Sequence, residues 1–204
     1  MSGVRVLRTS SASPFGRKVR MAIDVVGLAR DVRVVHADTS DPADSLRQQN
    51  PLGKIPTLLL EDGQALFDSR VIVEYLNTID GRGILFPQDA LARIGVLREQ
   101  ALADGLLDAA LLQVYEQRFR PETHQVASWV AHQRSKVEGA LDAFSLRLPA
   151  RRDAGPHIGE IALAAALGYL DLRFEGRWRV THPPLAQWLD GFAQRVPAFE
   201  RTRA

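Results

Sequence analysis

The segment Asn50-Pro51-Leu52-Gly53-Lys54-Ile55-Pro56-Thr57 runs directly into the apolar residues Leu58-Leu59-Leu60, and it decides how the first part of the chain folds. The apolar run predicts a short strand, and Pro56 stands at its entrance, where proline is tolerated because a first strand residue need not donate to the ladder. If the Ile55–Pro56 peptide bond is cis, the backbone N–H and C=O of Ile55 point outward, unpaired. Such groups beside a sheet edge can bind an extended peptide. An ordinary tight turn is the alternative, since only about 5–6% of X–Pro bonds in folded proteins are cis.

The residues before this segment alternate between strand and helix patterns. Val4 to Leu7 is a short run that predicts a strand. Ser13-Pro14 then opens a helix, because serine is a favoured N-cap and proline a favoured first helical residue. Apolar residues at helical spacing extend this helix to Gly27. A second strand over Val32 to Val35 completes a βαβ unit, which implies a parallel pair.

The residues after the segment complete a small α/β domain. Thr57 to Leu60 and Ala65 to Phe67 predict a hairpin. A last helix begins at Asp68-Ser69, and its spacing predicts four buried residues: Val71, Ile72, Tyr75 and Ile79. We therefore expect a first domain over residues 1–80, followed by a glycine- and proline-containing linker over residues 81–89.

Residues 90–204 have helical apolar spacing almost throughout. Three helix faces are predicted: one with Ile94, Leu97 and Ala101; one running from Val126 to Leu148; and one with Ile161, Ala162, Ala165 and Tyr169, which is rich in small residues and therefore central. Asp104 and Asp108 continue the first face. Because buried carboxylates need partners, we expect that end of the helix to face a cleft.

The composition restricts the possible functions. The chain has 204 residues, 46% of them apolar, which is enough for a substantial core. There is no apolar run long enough for a membrane span and no secretory pattern, so we expect a cytoplasmic protein. Cysteine is absent, so any thiol chemistry must use a thiol brought by a ligand.

Charge and histidine spacing argue against two further classes. The net charge is only +2, without a basic cluster, which does not favour nucleic-acid binding. The five histidines lack metal-ligand spacing, so we predict no metal site.

Three polar features are predicted on one side of the first domain. Ser13 lies at a helix N-terminus, Ile55-Pro56 precedes a strand, and Asp68-Ser69 opens another helix. Helix N-termini present free N–H groups and favour anions. The combination suits a small extended peptide that carries a thiolate and a carboxylate.

These motifs, Ser13-Pro14-Phe15-Gly16-Arg17-Lys18, Asn50 to Leu58 and Asp68-Ser69-Arg70, followed by a helical half, resemble a cytosolic glutathione S-transferase of bacterial type with serine at the active-site position. The resemblance covers nearly the whole chain, including Ile161 to Phe174, which is similar to the family's buried central helix. It implies a thioredoxin-like N-terminal domain, an all-α C-terminal helical bundle that forms the co-substrate pocket, and glutathione as co-substrate without a metal. One departure is His157, a poorer N-cap than the Ser or Thr of the family's capping box.

The resemblance also implies roles for the candidate site residues. The Ile55 backbone, beside Lys54, would pair with the cysteinyl part of glutathione, and a cis Pro56 would hold that geometry, so we predict the cis bond. Ser69 would hold the γ-glutamyl carboxylate and Asp68 would face its ammonium, although either residue could be only an N-cap.

Ser13 would donate a hydrogen bond to the glutathione sulfur and stabilise the thiolate. It could also be only an N-cap, and Ser10 and Ser11 are competitors in the same loop. Tyr115 and Arg118 could line the second-substrate pocket.

The expected activity is attack of the glutathione thiolate on a small, mostly apolar electrophile. A glutathione-dependent isomerase or dehalogenase, which regenerates glutathione, is one alternative. A non-catalytic binding or regulatory module with the same fold is another. The resemblance further implies a homodimer.

Overall fold

The computed structural model describes residues 4–204, and its first half is built on a four-stranded mixed sheet. The strands are β1 (Arg5–Thr9), β2 (Val32–His36), β3 (Thr57–Leu59) and β4 (Ala65–Leu66), in the order β2-β1-β3-β4. β1 pairs parallel with β2 and antiparallel with β3, and β3 pairs antiparallel with β4. The predicted βαβ unit and hairpin are therefore both present.

Three helices accompany the sheet: α1 (Pro14–Val25), the short α2 (Leu46–Gln49), which the sequence pattern did not predict, and α3 (Ser69–Asp80). α1 begins directly after the loop that follows β1, and this tight connection depends on Gly16. A Cβ at Gly16 would lie 1.9 Å from Oγ1 of the buried Thr9. Glycine at this position thus lets the start of α1 close onto the end of β1.

The second half is entirely helical. Its helices are α4 (Ala90–Phe119), α5 (Ala127–Leu146), α6 (Ile158–Phe174), α7 (Trp178–Thr181), α8 (Pro183–Arg195) and α9 (Ala198–Arg201), with a 3-10 turn at Glu122–His124. Every residue of α6 from Ile158 to Leu170 is buried, as predicted for the central helix. α6 packs against α1 as well as α4, so one apolar core spans both halves. Within residues 4–204, no helix is long and apolar enough to cross a lipid bilayer.

The segment between the two halves is packed into the core. Leu85 and Phe86 are buried, and the Leu85 carbonyl accepts a hydrogen bond of 3.0 Å from the N–H of Ile158 at the start of α6. The carbonyl of Ile84 accepts a second bond from Arg152 at 3.1 Å. Residues 81–89 thus hold the start of α6 and the loop before it in place.

The predicted buried faces of α3 and α4 are partly wrong. In α3 the buried apolar residues are Ile72, Val73 and Leu76, whereas Val71 and Ile79 are exposed. In α4, Ile94 is 62% exposed, and the buried face runs through Val96. Helical spacing identifies an apolar stripe, but it does not identify which of two stripes the rest of the chain covers.

His157 caps α6 more completely than predicted. Its Nδ1 accepts the N–H of Gly159 at 3.2 Å, its Nε2 lies 3.0 Å from the Ala150 carbonyl, and Glu160 accepts the N–H of His157 at 3.3 Å. Burial lowers the pKa of His157, so the ring is neutral and each nitrogen has one defined role.

Candidate active site

Ser13 is placed by the loop between β1 and α1. It is buried, and it is the N-cap of α1, where its Oγ accepts the N–H of Gly16 at 3.0 Å. A serine hydroxyl has two acceptor lone pairs and one proton. Capping uses one lone pair, so the hydroxyl proton is still available for a ligand.

The Asn50–Thr57 segment is held by the buried side chain of Asn50. Its Nδ2 donates to the Lys54 carbonyl at 2.9 Å and lies 3.2 Å from Oγ1 of Thr57, and its Oδ1 accepts the N–H of Leu52 at 3.0 Å. Sequence reasoning did not assign this role to Asn50. The only sequence signal for this role was the position of Asn50, an amide side chain at the start of the segment that leads into the apolar strand.

The Ile55–Pro56 peptide bond is cis, as predicted. Within residues 4–204, neither the N–H nor the C=O of Ile55 has a hydrogen-bond partner, whereas the neighbouring Lys54 carbonyl accepts two bonds. The Ile55 backbone is therefore available to an extended peptide.

Asp68 and Ser69 form the start of α3, which follows a cis Phe67–Asp68 bond. Oδ1 of Asp68 accepts the N–H of Arg70 at 2.8 Å and the hydroxyl of Ser69 at 3.1 Å. Ser69 is buried, whereas Asp68 is exposed. Both lie at a helix N-terminus, which favours a ligand carboxylate.

The predicted site residues line two adjoining clefts. The smaller, of about 140 Å³, is lined by Ile55, Pro56, Asp68 and Ser69 with Lys54. The larger, of about 500 Å³, contains Ser13. Phe15, Lys54, Ile55 and Asp108 line both, so the two clefts form one continuous groove.

The larger cleft is closed by the helical domain. Its wall combines apolar side chains with hydroxyl and cationic groups: Leu111, Leu112, Val114, Tyr115, Arg118, Tyr169 and Arg173. Tyr115 and Arg118 thus occupy the cleft wall that the sequence suggested for them. Burial raises the pKa of Tyr169, so its hydroxyl is a neutral donor near the cleft.

The three candidate serines are not equivalent. Ser10 and Ser13 line the larger cleft, whereas Ser11 lines a different cavity behind the loop. Ser13 alone combines a place in the cleft with a buried side chain held by a hydrogen bond.

A buried ion network lies beneath the groove. Nζ of the fully buried Lys18 lies 2.7 Å from Oδ1 of Asp104, and Nε of Arg70 lies 2.8 Å from Oδ2 of the same carboxylate. Asp104 of α4 therefore joins α1 and α3 of the first domain. The predicted need of Asp104 for partners is met, but no pattern in the sequence predicted that Lys18 would be one of them.

Asp108, one helical turn beyond Asp104, faces the groove. Its pKa is raised, first by loss of hydration at the cleft wall and then by the Asp104 carboxylate.

Within the described residues, no cluster of three or more His, Cys, Asp or Glu side chains is arranged to hold a metal ion.

Comparison with known proteins identifies the family. The family model described as the N-terminal domain of glutathione S-transferase matches residues 12–79, and the model of the C-terminal domain matches residues 127–191. The uncharacterized GST-like protein YibF of Escherichia coli K12 is 32% identical over 196 residues, which is 95% of each chain. The chain belongs to the glutathione S-transferase family.

Two crystal structures of family members are similar over nearly the whole chain. A glutathione S-transferase from Methylobacillus flagellatus KT with bound glutathione is 39% identical, with a TM-score of 0.90 and 98% coverage of both chains. A family member from Pseudomonas fluorescens Pf-5 with bound S-(propanoic acid)-glutathione is 37% identical, with a TM-score of 0.86 and 98% coverage of both chains. The expected fold class is confirmed: the transferase-family chain has a thioredoxin-like N-terminal domain with a small mixed sheet and an all-helical C-terminal domain.

Proposed function

We propose that this family member is a glutathione transferase that activates the glutathione thiol for attack on a small electrophile. One observation carries the proposal. The unpaired Ile55 backbone, the α3 N-terminus with Asp68 and Ser69, and the hydroxyl of Ser13 line one continuous groove.

Glutathione would lie along the smaller cleft. The N–H and C=O of Ile55 pair with its cysteinyl backbone, as in an added strand. Ser69 and the α3 N-terminus hold the γ-glutamyl carboxylate, and the exposed Asp68 faces the γ-glutamyl ammonium. Lys54 supplies a cation for the second carboxylate of the peptide.

Ser13 is the proposed activating residue. Its hydroxyl group donates a hydrogen bond to the glutathione sulfur. A hydrogen bond to a charged group contributes about 1.5–3 kcal/mol. That free energy lowers the thiol pKa by about one to two units from a starting value near 8.5. The thiolate then attacks the electrophilic carbon. A C–S bond forms, and either a leaving group departs with its electron pair or an activated double bond takes up a proton.

The larger cleft suits a mostly apolar co-substrate with room for an acidic group. Its wall is largely aliphatic and aromatic, and Arg118 and Arg173 place cations in it. The relative from Pseudomonas fluorescens binds a glutathione conjugate whose added group carries a carboxylate. That similarity supports electrophiles of the same kind here.

Replacement of Ser13 by Ala tests the proposal. We expect kcat/KM for chlorodinitrobenzene to fall about ten- to a hundredfold, because the hydrogen bond to the thiolate is lost. The Kd for glutathione should change less than about threefold. Ser11→Ala, in the same loop but outside the groove, is the matched control and should retain activity.

Unchanged turnover in Ser13→Ala would remove Ser13 from the mechanism. Titration of free thiol during turnover distinguishes the reactions, because conjugation consumes glutathione whereas isomerisation and dehalogenation regenerate it. Absence of both glutathione binding and turnover in the wild type would favour the non-catalytic alternative.

We also infer a homodimer formed through α3 and α4. Arg93 of α4 donates to Glu74 of α3, so the two helices lie side by side. Beside this ion pair, Leu91 is 83% exposed and Ile94 62% exposed, and Val71 of α3 is exposed as well. A second copy would remove this apolar surface from water.

Light scattering on the eluting protein tests the dimer. The wild type should elute with the mass of two chains, and Ile94→Lys with the mass of one, because a lysine would have to be buried at the interface. Leu146→Lys is the control, since Leu146 is 89% exposed on α5. A wild-type monomer would contradict the inference.

We infer that residues 81–89 link domains 1–80 and 90–204, a division supported by the change from mixed to helical structure. We also infer a cytoplasmic location, because glutathione is kept reduced there.

A further inference from the structure

A second cavity, of about 350 Å³, lies behind the Ser13 loop. It is bounded by the loop Ser11–Pro14, by Arg17 of α1, by Gly168 and Leu172 of α6, and by Phe199 and Arg203 at the end of the chain. Lys54, Ile55, Asp68 and Ser69 take no part in it. The cavity meets the groove only at Ala12–Pro14 and Tyr169.

Arg17 is built into the wall of this cavity. Its side chain is buried, with the residue 7% exposed. Nη2 donates to the Phe199 carbonyl at 2.8 Å, and the guanidinium carbon lies 4.2 Å from the centre of the Phe199 ring. A Cβ at Gly168 would lie 2.2 Å from Nη1, so α6 has a glycine where the guanidinium crosses it.

The charge of Arg17 lacks a carboxylate partner. The buried Lys18 pairs with Asp104 and the buried Arg8 pairs with Asp44, but within residues 4–204 no carboxylate lies within 4.0 Å of Arg17. Nε of Arg17 is buried without any hydrogen-bond partner. Burial lowers the pKa of Arg17 to about 10, so the group is still charged at neutral pH. An unpaired buried cation is unfavourable unless an anion joins it.

The other charged side chains that line the cavity are already paired, and the last residue, Ala204, lines it as well. Arg203 lies 2.7 Å from Glu200, and Arg179 lies 2.7 Å from Asp171 and 3.2 Å from Asp190. The remaining wall is mainly apolar, with Pro14, Ala165, Leu172 and Phe199, together with the hydroxyls of the loop serines. Within residues 4–204, Arg17 is therefore the one charged side chain in this lining without an ion-pair partner, and it lies beside apolar surface.

We propose that this cavity is a second binding site, separate from the glutathione groove, for a small organic carboxylate with an apolar body. The carboxylate accepts hydrogen bonds from Arg17 and Arg203, since guanidinium groups match carboxylate geometry. The apolar body packs on Leu172 and Phe199. A volume of about 350 Å³ lies at the lower end of the range for ligand pockets, which suits a single aromatic ring with an acid group.

Calorimetric titration of benzoate into the full chain saturated with glutathione tests this site. We expect one benzoate per chain, with an affinity that is the same without glutathione. Arg17→Met keeps the apolar stem but removes the charge, and it should weaken benzoate binding at least tenfold while glutathione still binds. Arg203→Gln should weaken it about threefold to tenfold.

Two further variants keep the test decisive if Arg17→Met fails to fold. Leu172→Asp introduces an anion beside Arg17 at a half-exposed position and should abolish benzoate binding. Arg201→Gln, at the end of α9 and paired with Asp24 outside the cavity, is the control for Arg203→Gln and should leave benzoate binding unchanged. Benzoate that competes with glutathione, that binds Leu172→Asp as tightly as the wild type, or that does not bind the wild type at millimolar concentration would overturn the proposal. Because the readout is binding, these outcomes are independent of transferase activity.

Discussion

The groove edge of the first domain and its junction with the helical domain are held by different kinds of contact. At the edge, each polar residue is fixed by a partner a few positions away, as Ser13 is by Gly16 and Asp68 by Arg70. At the junction, Lys18 meets Asp104, which lies 86 residues further along the chain. At the edge Asp68 is exposed to water, whereas the side chains of Lys18 and Asp104 at the junction are almost completely buried. A change at the edge therefore affects one local bond, but a change at the junction leaves a charge buried.

The largest effect is expected from breaking the junction at Asp104. Asp104→Asn leaves Lys18 fully buried without a carboxylate, and we expect a loss of about 3–5 kcal/mol in the free energy of unfolding. Urea denaturation at fixed protein concentration measures it.

Lys18→Met is the matched change on the other side of the pair. It leaves Asp104 bonded to Arg70, so its loss should be clearly smaller than that of Asp104→Asn. Equal losses would show that Arg70 does not compensate Asp104.

A smaller effect is expected from Asp68 at the groove edge. Asn is as good an N-cap as Asp, so Asp68→Asn should change stability by less than about 0.5 kcal/mol. If Asp68 faces the glutathione ammonium as we propose, loss of its negative charge should raise the Kd for glutathione about threefold to tenfold. Calorimetric titration measures the Kd.

Asp89→Asn is the control for Asp68→Asn, because Asp89 caps α4 through the same kind of bond, at 2.8 Å to the N–H of Ala92, outside the groove. It should leave the Kd unchanged. An unaltered Kd in Asp68→Asn would assign Asp68 to capping alone.

The smallest effect is expected at His157. Its hydrogen-bond partners are close in sequence, as they are for the residues of the groove edge, but its side chain is buried, as are those of the junction. The folded state holds its imidazole neutral with a lowered pKa, whereas the unfolded chain takes up a proton near pH 6.5. Its contribution to stability is therefore complete above about pH 6.5 and is lost as the pH falls toward the lowered pKa.

His157→Asn keeps an N-cap without a titrating ring. Its melting temperature should fall less than that of the wild type between about pH 7.5 and about pH 5. His124→Asn, at an exposed histidine, should follow the wild type. Identical pH profiles in all three proteins would show that His157 is not the titrating group.

Much of the groove edge was predictable because its signals are local. A serine before a proline marked the cap of α1, and an Asp-Ser pair marked the start of α3. The strands and the cis Ile55–Pro56 bond were predicted from a few neighbouring residues and the family resemblance. The exposed apolar faces of α3 and α4 were not predicted. Apolar spacing does not distinguish a helix face that is covered within one chain from a face that stays exposed.

The sequence by itself determined the order of the four strands with α1 and α3, the caps of those two helices, and the small-residue pattern of the central helix. These depend on interactions within a turn or two of chain. Only the tertiary structure decided that Asp104 would pair with Lys18, that Asn50 would hold the segment before β3, and that Arg17 would be buried without a carboxylate. Those outcomes depend on which distant groups share a low-dielectric interior, where a charge is stabilised only by the partners that folding brings to it.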